Sequence, residues 1–462
     1  MLTYPLEERG ELPLYEYLYR RIRADILSGA LRAGERLPSK RSLAEHLHLS
    51  VITVEGAYAQ LSAEGYIYTL PRSGFFVSRL EQGLPPGGGI AVPQEAPARL
   101  VWVLDLKSTR VDASRFPFAV WSRLTRQVLS EQGTQLLQPL PHQGLPALRE
   151  AIARDLRENR GLTVSPEQIV VGAGAEYLYL LLAQLLGPEA VFAVEDPGYP
   201  KIAQVYRKCG AACLPVPLDG QGLDVAALRA SGASVAHISP SHHYPTGLVT
   251  PIARRYDLLQ WAGGDRYIIE DDYDSEFRFS GRPIQPLQSI DGRERVIYMN
   301  TFSQTIAPSM RIGYLVLPPH LLEKYRRELD FYSCPVPGTE QHVLARFIAG
   351  GYFEQHLSRM RNEYRARRAR VLEAFRRSSF TEKVTISEQG AGLHFLLKLR
   401  TEIPDAGLKS WAEALGVRLS FLSEYAAVPR AEFAHTLVVN YAGLEQERLE
   451  AGMTLLAQVF ME

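Results

Sequence analysis

The chain has 462 residues, 46% hydrophobic and 22% charged, which is ordinary globular composition at a length that calls for two or three domains. Lys and Arg total 51, as do Asp and Glu, so overall charge announces no nucleic-acid partner and any case for DNA rests on arrangement. No stretch approaches the ~20 apolar residues that span a bilayer, the start MLTYPLEERG lacks the pattern of a signal peptide, and three cysteines make no disulfide framework; a cytoplasmic location without membrane contact is expected.

Leu14, Leu18, Ile22 and Ile26 recur every four residues and predict an amphipathic helix. Gly29 and Gly34 end it. Pro38-Ser39 opens a second helix with Leu43 and Leu47 facing inward, and Ser39 is a natural N-cap. Ser50 caps a third, with Val54, Ala57, Tyr58 and Leu61 inward. Two strand-like runs follow, Tyr66–Leu70 and Phe75–Val77, joined by the turn Pro71-Arg72-Ser73-Gly74. Residues 1–79 therefore read as a winged helix-turn-helix domain, although they carry only ten Lys and Arg against nine Asp and Glu. The third helix can enter a major groove by its N-terminal end. Candidate contacts to double-stranded DNA are Ser39, Arg41, Ser50, Thr53, Arg72 and Ser73. A protein-binding winged helix is the alternative.

The run from Gly29 to Val77 resembles the GntR family of bacterial regulators. Gly29, Leu31, Gly34, Leu37-Pro38-Ser39, Arg41, Leu43-Ala44, Thr53-Val54, Tyr58, Leu61, Glu64-Gly65, Ser73-Gly74 and Val77 sit on its pattern. The family often places Arg after the cap of the recognition helix; this chain has Val51, which implies base readout through Thr53 and thymine methyls.

Residues 80–100 hold Pro85-Pro86, three successive glycines, Pro93 and Pro97, the composition of an interdomain linker. Residues 101–462 alternate helices with short apolar runs: Gln168–Val171, Ala190–Val194, Val235–Ser239, Tyr267–Glu270 and Val296–Met299. This alternation predicts an α/β body with a largely parallel sheet. Cys209, Cys213 and Cys334 read as ordinary thiols, a redox or metal role being the alternative. Residues 359–377 carry eight arginines, either a solvated helix face or a DNA-backbone or interdomain contact.

Five motifs follow strands in the body. Gly172-Ala173-Gly174-Ala175-Glu176 is a glycine turn opening a helix, where backbone N–H groups can meet a phosphate. Glu195-Asp196-Pro197-Gly198-Tyr199-Pro200 is followed by Lys201, near where a substrate carboxylate could approach. Ser239-Pro240-Ser241-His242-His243-Tyr244-Pro245-Thr246-Gly247 contains two adjacent histidines, which point apart with no third metal ligand spaced for them. Ile269–Arg278 carries Asp271, Asp272, Tyr273 and Asp274, with a divalent-metal site as its rival reading. Thr301–Tyr314 carries Ser303, Gln304 and Arg311. Together these resemble fold-type I pyridoxal-phosphate enzymes of the aminotransferase kind. A GntR head on such a body resembles the MocR subfamily, over residues 11–445.

The resemblance implies a cofactor pocket of Gly174, Ala175, Tyr199, Asp271, Tyr273, Ser303, Gln304 and Arg311. Tyr199 would stack on the pyridine ring, Asp271 would keep its nitrogen protonated, Tyr273 would meet the ring hydroxyl, and Ser303 and Arg311 would hold the phosphate. A hydroxyl residue is frequent in the family where Ala175 stands, which implies one phosphate ligand fewer. The family has its Schiff-base lysine where Gln304 stands, and an amide side chain has no basic lone pair for imine chemistry. Near the C-terminus, Val438 stands where an arginine often binds a substrate carboxylate, a loss of ~1.5–3 kcal/mol of anion binding. The expectation is thus a DNA-binding regulator, a homodimer with two heads. Its catalytically inactive body senses a small molecule: pyridoxal phosphate bound non-covalently, or another metabolite in a repurposed pocket. The alternatives are a working aminotransferase with an accessory head, and a lysine-bearing regulator substituted at position 304.

Overall fold

The structure, a computed structural model, describes residues 2–80, 101–109, 112–281, 283–387 and 390–461. The chain divides into two compact units, Met1–Ala98 and Arg99–Glu462. Residues 81–100 of the expected linker lie outside the described residues.

The head is α1 (Leu14–Ser28), α2 (Lys40–His46), α3 (Val51–Ala63), β1 (Ile67–Leu70) and β2 (Gly74–Val77). Its two short helices start where a serine supplies the missing acceptor. Ser39 Oγ accepts from Ser42 N at 3.1 Å, and Ser50 Oγ from Thr53 N at 3.1 Å. Leu18, Ile22, Leu43, Val54, Ala57, Tyr58 and Leu61 form the fully buried centre. The antiparallel hairpin pairs Leu70 with Gly74, so the turn is three residues, Pro71–Ser73. Gly74, expected within the turn, is instead the first residue of β2. Arg72 at the tip adopts φ 61°. Leu37 N donates to Phe75 O at 2.9 Å, which pins the wing beside α2.

The body holds β3 (Leu104–Asp105), β4 (Ile169–Gly172), β5 (Val191–Asp196), β6 (Ala212–Asp219), β7 (Gly222–Leu223), β8 (Val235–Ile238), β9 (Tyr267–Asp271), β10 (Val296–Thr301), β11 (Gly313–Val316), β12 (Val384–Ser387), β13 (His394–Leu399), β14 (Val417–Arg418) and β15 (Thr436–Asn440). Eight of them form one sheet in the order β4-β11-β10-β9-β8-β5-β6-β7. β6, β5, β8, β9 and β10 run parallel, while β11 lies antiparallel to β10 and β4. Every residue of β4, β8, β10 and β11 is buried, because apolar clusters cover both faces. This explains why these strands read as continuous apolar runs rather than as alternations. A separate core joins the antiparallel β12-β13-β15 sheet to the ladder of β3 with β14. Among the described residues no helix is long and apolar enough to cross a membrane.

The arginine-rich segment lies in the helix Tyr352–Arg376. Arg367 meets Asp112 at 2.6 Å, Arg361 meets Glu354 at 3.1 Å and Arg377 meets Glu373 at 2.6 Å. Four of its eight arginines, Arg361, Arg367, Arg370 and Arg377, thus pair with neighbouring acids.

Leu61 has no exposed surface, so Leu61→Ala should destabilise the head by about 3 kcal/mol. Calorimetry of the full chain should show one transition lowered and the body's transition unmoved.

Candidate functional site

Parallel strands bring their carboxyl ends to one edge of a sheet, and ligands bind there. The motifs following β4, β5, β8, β9 and β10 all emerge at that edge. β11 runs the opposite way, so its preceding residue Arg311 reaches the same place. Ala175, Tyr199, Asp271, Tyr273, Ser303, Gln304 and Arg311 line one cavity. Gly174 stands behind them as N-cap of the helix Ala175–Leu186. The structure thus gathers the residues singled out in the sequence, and adds Tyr179, Glu195, His237 and Tyr244 to the lining.

Asp271 is 5% exposed. Its Oδ2 accepts from the Tyr179 hydroxyl at 2.8 Å and lies 3.4 Å from His237 Nε2. The Tyr206 hydroxyl bonds His237 Nδ1 at 2.8 Å. Burial first, and the Asp271 charge second, push the Tyr179 and Tyr206 phenols well above their usual range. Both therefore stay protonated, and Tyr179 donates to the carboxylate. This chain fixes Asp271 in the cavity floor. Sequence reasoning missed Tyr179, Tyr206 and His237; a histidine inside the apolar run of β8 was the available signal.

The rest of the acidic run disperses. Glu270 accepts from Leu287 N at 2.6 Å and Gln288 N at 2.9 Å. Asp272 pairs with buried Arg160 at 2.5 Å. Glu276 accepts from Asn300 at 3.0 Å. Glu270 and Asp271, the last two residues of β9, point to opposite faces, while Asp272 and Glu276, beyond the strand, take separate partners. Asp274, from the same run, joins two histidines instead. His242, Asp274 and His394 present ligand-type atoms within 4.8 Å of one another, all buried. The sequence placed no third ligand beside the histidines because His394 arrives from β13, 152 positions after His242. Here His242 Nδ1 meets Asp274 at 2.9 Å and the Tyr273 hydroxyl at 3.2 Å, while His394 Nε2 donates to Pro245 O at 3.0 Å. The group is internally hydrogen-bonded, and Tyr273 is tied into it.

Elsewhere in the cavity lining, Glu176 bonds Lys201 Nζ at 3.1 Å and pairs with Arg311. Burial alone would raise the Glu176 carboxyl; the hydrogen bonds from Arg311, its own backbone N–H and Lys201 outweigh it and hold the group at about 2. Gly174 has φ 84°, and a Cβ there would stand 2.9 Å from the Arg311 guanidinium. Only glycine lets the guanidinium lie against the turn. Arg311 itself is held at φ 49°, a left-handed conformation that occurs at ligand-holding positions.

Tyr199 is 39% exposed, presenting its ring to the cavity. Its ring meets Tyr244 edge-on at 6.1 Å. Gln304 Oε1 is buried without a hydrogen-bond partner among the described residues. Val438 is fully buried in β15 opposite Leu396, and supplies no charge. All three cysteines are free.

In the head, the Ser39 and Ser50 hydroxyls serve as caps, and Ser50 Oγ also meets Thr53 Oγ1 at 2.8 Å. Arg41, Arg72 and Ser73 are exposed. Ile52, at 79% exposure, is the most open apolar side chain on α3. Sequence reasoning did not single it out, because an isolated isoleucine at a helix start carries no pattern.

The model of the family "Aminotransferase class I and II" matches residues 104–451, and that of "Bacterial regulatory proteins, gntR family" matches residues 14–77. The chain is 36% identical over 457 residues to the uncharacterized HTH-type transcriptional regulator YdeL of Bacillus subtilis, covering 96% of each chain. It is 32% identical to the probable rhizopine catabolism regulatory protein MocR of Rhizobium meliloti, over 99% of this chain and 95% of that one. The multiple substrate aminotransferase of Thermococcus profundus superposes with a TM-score of 0.68 at 25% identity, over 79% of this chain and 92% of that one.

Glu195 lines the cavity, and burial foremost pushes its carboxyl up to about 8. His243 Nε2 lies 3.5 Å away, and burial holds that imidazole down at about 3. Both groups are therefore neutral at pH 7. Folding takes up a proton at Glu195 between the ordinary glutamate range and pH 8, so its contribution to stability is complete below that window and lost as pH rises through it. Glu195→Gln should flatten this decline and raise Tm at pH 8 by roughly 2 °C, as followed by thermal melts from pH 5 to 8.5.

Proposed function

Because the chain belongs to the HTH-type transcription regulators that join a GntR head to an aminotransferase class I and II body, the MocR type, we propose that its body senses a small molecule and does not transaminate. One observation carries this reading: the side chain at position 304 of the cavity is an amide. An amide nitrogen donates its lone pair to the carbonyl and cannot condense with an aldehyde. Among the described lining residues Lys201 is the only lysine, and its ammonium is pushed up by Tyr199 first and by the Glu176 hydrogen bond next. It stays charged and is a poor nucleophile at neutral pH.

The remaining groups fit pyridoxal phosphate held without a covalent bond. Asp271 offers a fixed carboxylate to the ring nitrogen, Tyr199 a face to the ring, Ser303 and Arg311 donors to the phosphate, and the Gly174 turn a close approach of backbone. Gln304 Oε1, buried and without a partner among the described residues, offers an acceptor to a ligand hydroxyl. When bound, the cofactor's protonated ring supplies an electron sink. Here the chain provides binding and orientation, with an amide rather than an amine at position 304. Val438 supplies no cation for an amino-acid carboxylate, which supports the same reading. The sensor would act as a twofold dimer, presenting two α3 helices to a repeated or palindromic site. Ser50, Thr53 and exposed Ile52 would meet base edges and thymine methyls, and Arg41, Arg72 and Ser73 the backbone.

The intact flanks of position 304, Thr301–Ser303 and Ala307–Gly313, favour a second reading, a lysine-bearing regulator that has been substituted at this residue. Gln304→Lys separates the two. A visible absorption band on adding pyridoxal phosphate to that variant supports the substituted regulator; a colourless variant supports a repurposed pocket. For the regulator itself, the purified chain should retard DNA from its own upstream region and turn over no amino donor. Turnover of any amino donor, or indifference to every upstream fragment, would contradict it.

A further inference from the structure

We propose that Glu176 is the cavity's resident anion: its carboxylate holds the place between Arg311 and Lys201 that a phosphate must take, so a phosphate-bearing ligand enters by displacing it. This inference rests on the sensor reading and names the selectivity of that same site.

Three features converge on the carboxylate. First, Glu176 stands in the first turn of the twelve-residue helix Ala175–Leu186, where the backbone N–H groups and the dipole favour a negative charge. The N-cap, Gly174, makes no side-chain capping bond, and the Glu176 carboxylate takes its own backbone N–H. Second, the two cations in the cavity lining divide its oxygens. Lys201 Nζ takes Oε1 at 3.1 Å, and Arg311 takes Oε2. Third, Gly174 lets the Arg311 guanidinium lie directly on the turn, so the arginine, the ammonium and the helix start face a common point.

A glycine turn, an arginine and a helix N-terminus make an anion cup. In this chain the cup is already filled from within. A phosphate arriving there meets a like charge at contact distance, and it gains Arg311 and Lys201 only as Glu176 gives them up. With its carboxyl held at about 2, Glu176 stays charged from pH 5 to 9, so acidification within that range does not open the cup. The barrier is selective. A ligand carrying a hydroxyl or hydrogen in place of the phosphate leaves the Glu176 pairs intact and does not encounter it. The cavity is thereby tuned towards unphosphorylated or weakly anionic ring compounds, and admits phosphate esters at a penalty.

Glu176→Gln keeps the size and removes the charge. The experiment titrates pyridoxal phosphate and pyridoxal separately into the full chain and into this variant, by calorimetry at constant ionic strength. The variant should bind pyridoxal phosphate at least tenfold more tightly than the unaltered chain, and pyridoxal within twofold of it. Adding Arg311→Ala to Glu176→Gln should abolish the gain. Equal or weaker binding of pyridoxal phosphate by Glu176→Gln would overturn the proposal. So would an equal gain for pyridoxal, which would mark a steric effect, and so would no phosphate binding by either protein. Thermal melts check folding, and Glu176→Ser is the second variant should glutamine impair it. Retardation of upstream DNA, measured on the same preparations, keeps the two claims apart. Loss of DNA binding by the unaltered chain refutes the regulator reading and leaves the phosphate comparison standing.

Discussion

The body depends on the direction of its strands. β6, β5, β8, β9 and β10 run parallel, so the segments that leave them emerge at one edge. Residues as distant in sequence as Ala175 and Gln304 become neighbours for that reason alone. β11 is antiparallel to its neighbours, and this reversal returns Arg311 to the same edge. The whole site is a consequence of sheet topology, and that topology in turn requires the buried, two-sided apolar strands that the sequence contains.

Within this frame two parts of the cavity are built differently. The Asp271 part is stiff and buried, with phenols and an imidazole arranged to hold a carboxylate in place. The Glu176 part is partly open, and its charges are paired with one another. On the proposed reading, the fixed carboxylate of Asp271 would meet the ring nitrogen of a bound ligand. A self-paired cup facing a phosphate is machinery that must be rearranged before it binds. Gln304 lines the same cavity, and its amide can hydrogen-bond a ligand but not form an imine with it. Binding without turnover suits a sensor, because a sensor must release what it detects.

Much of this was legible in the sequence. The head was readable from four-residue spacing and from Ser39 and Ser50, because caps and amphipathic faces are local. The body's strands were readable because runs such as Val235–Ile238 are short, apolar and separated by helices. Cavity residues followed from the resemblance that the motifs after those strands carry to fold-type I enzymes. What stayed hidden was long-range. Tyr179 and Tyr206 look like ordinary helix tyrosines until β8 and β9 place His237 and Asp271 beside them. His394 joins His242 only through the packing of β13. The Glu176 pairs link residues 25 and 135 positions apart, and no local pattern encodes such a contact. The position of Gly74 within β2 rather than in the turn is a matter of one residue, the scale at which local signals lose resolution.

The central claim is that this aminotransferase-like cavity offers no effective amine nucleophile at neutral pH. Intact-mass measurement of the full chain after incubation with pyridoxal phosphate and borohydride reduction tests it directly. The account predicts a mass equal to that of the untreated chain at stoichiometric ligand. A stoichiometric pyridoxyl increment, mapped to Lys201 or to any other cavity residue, would contradict it.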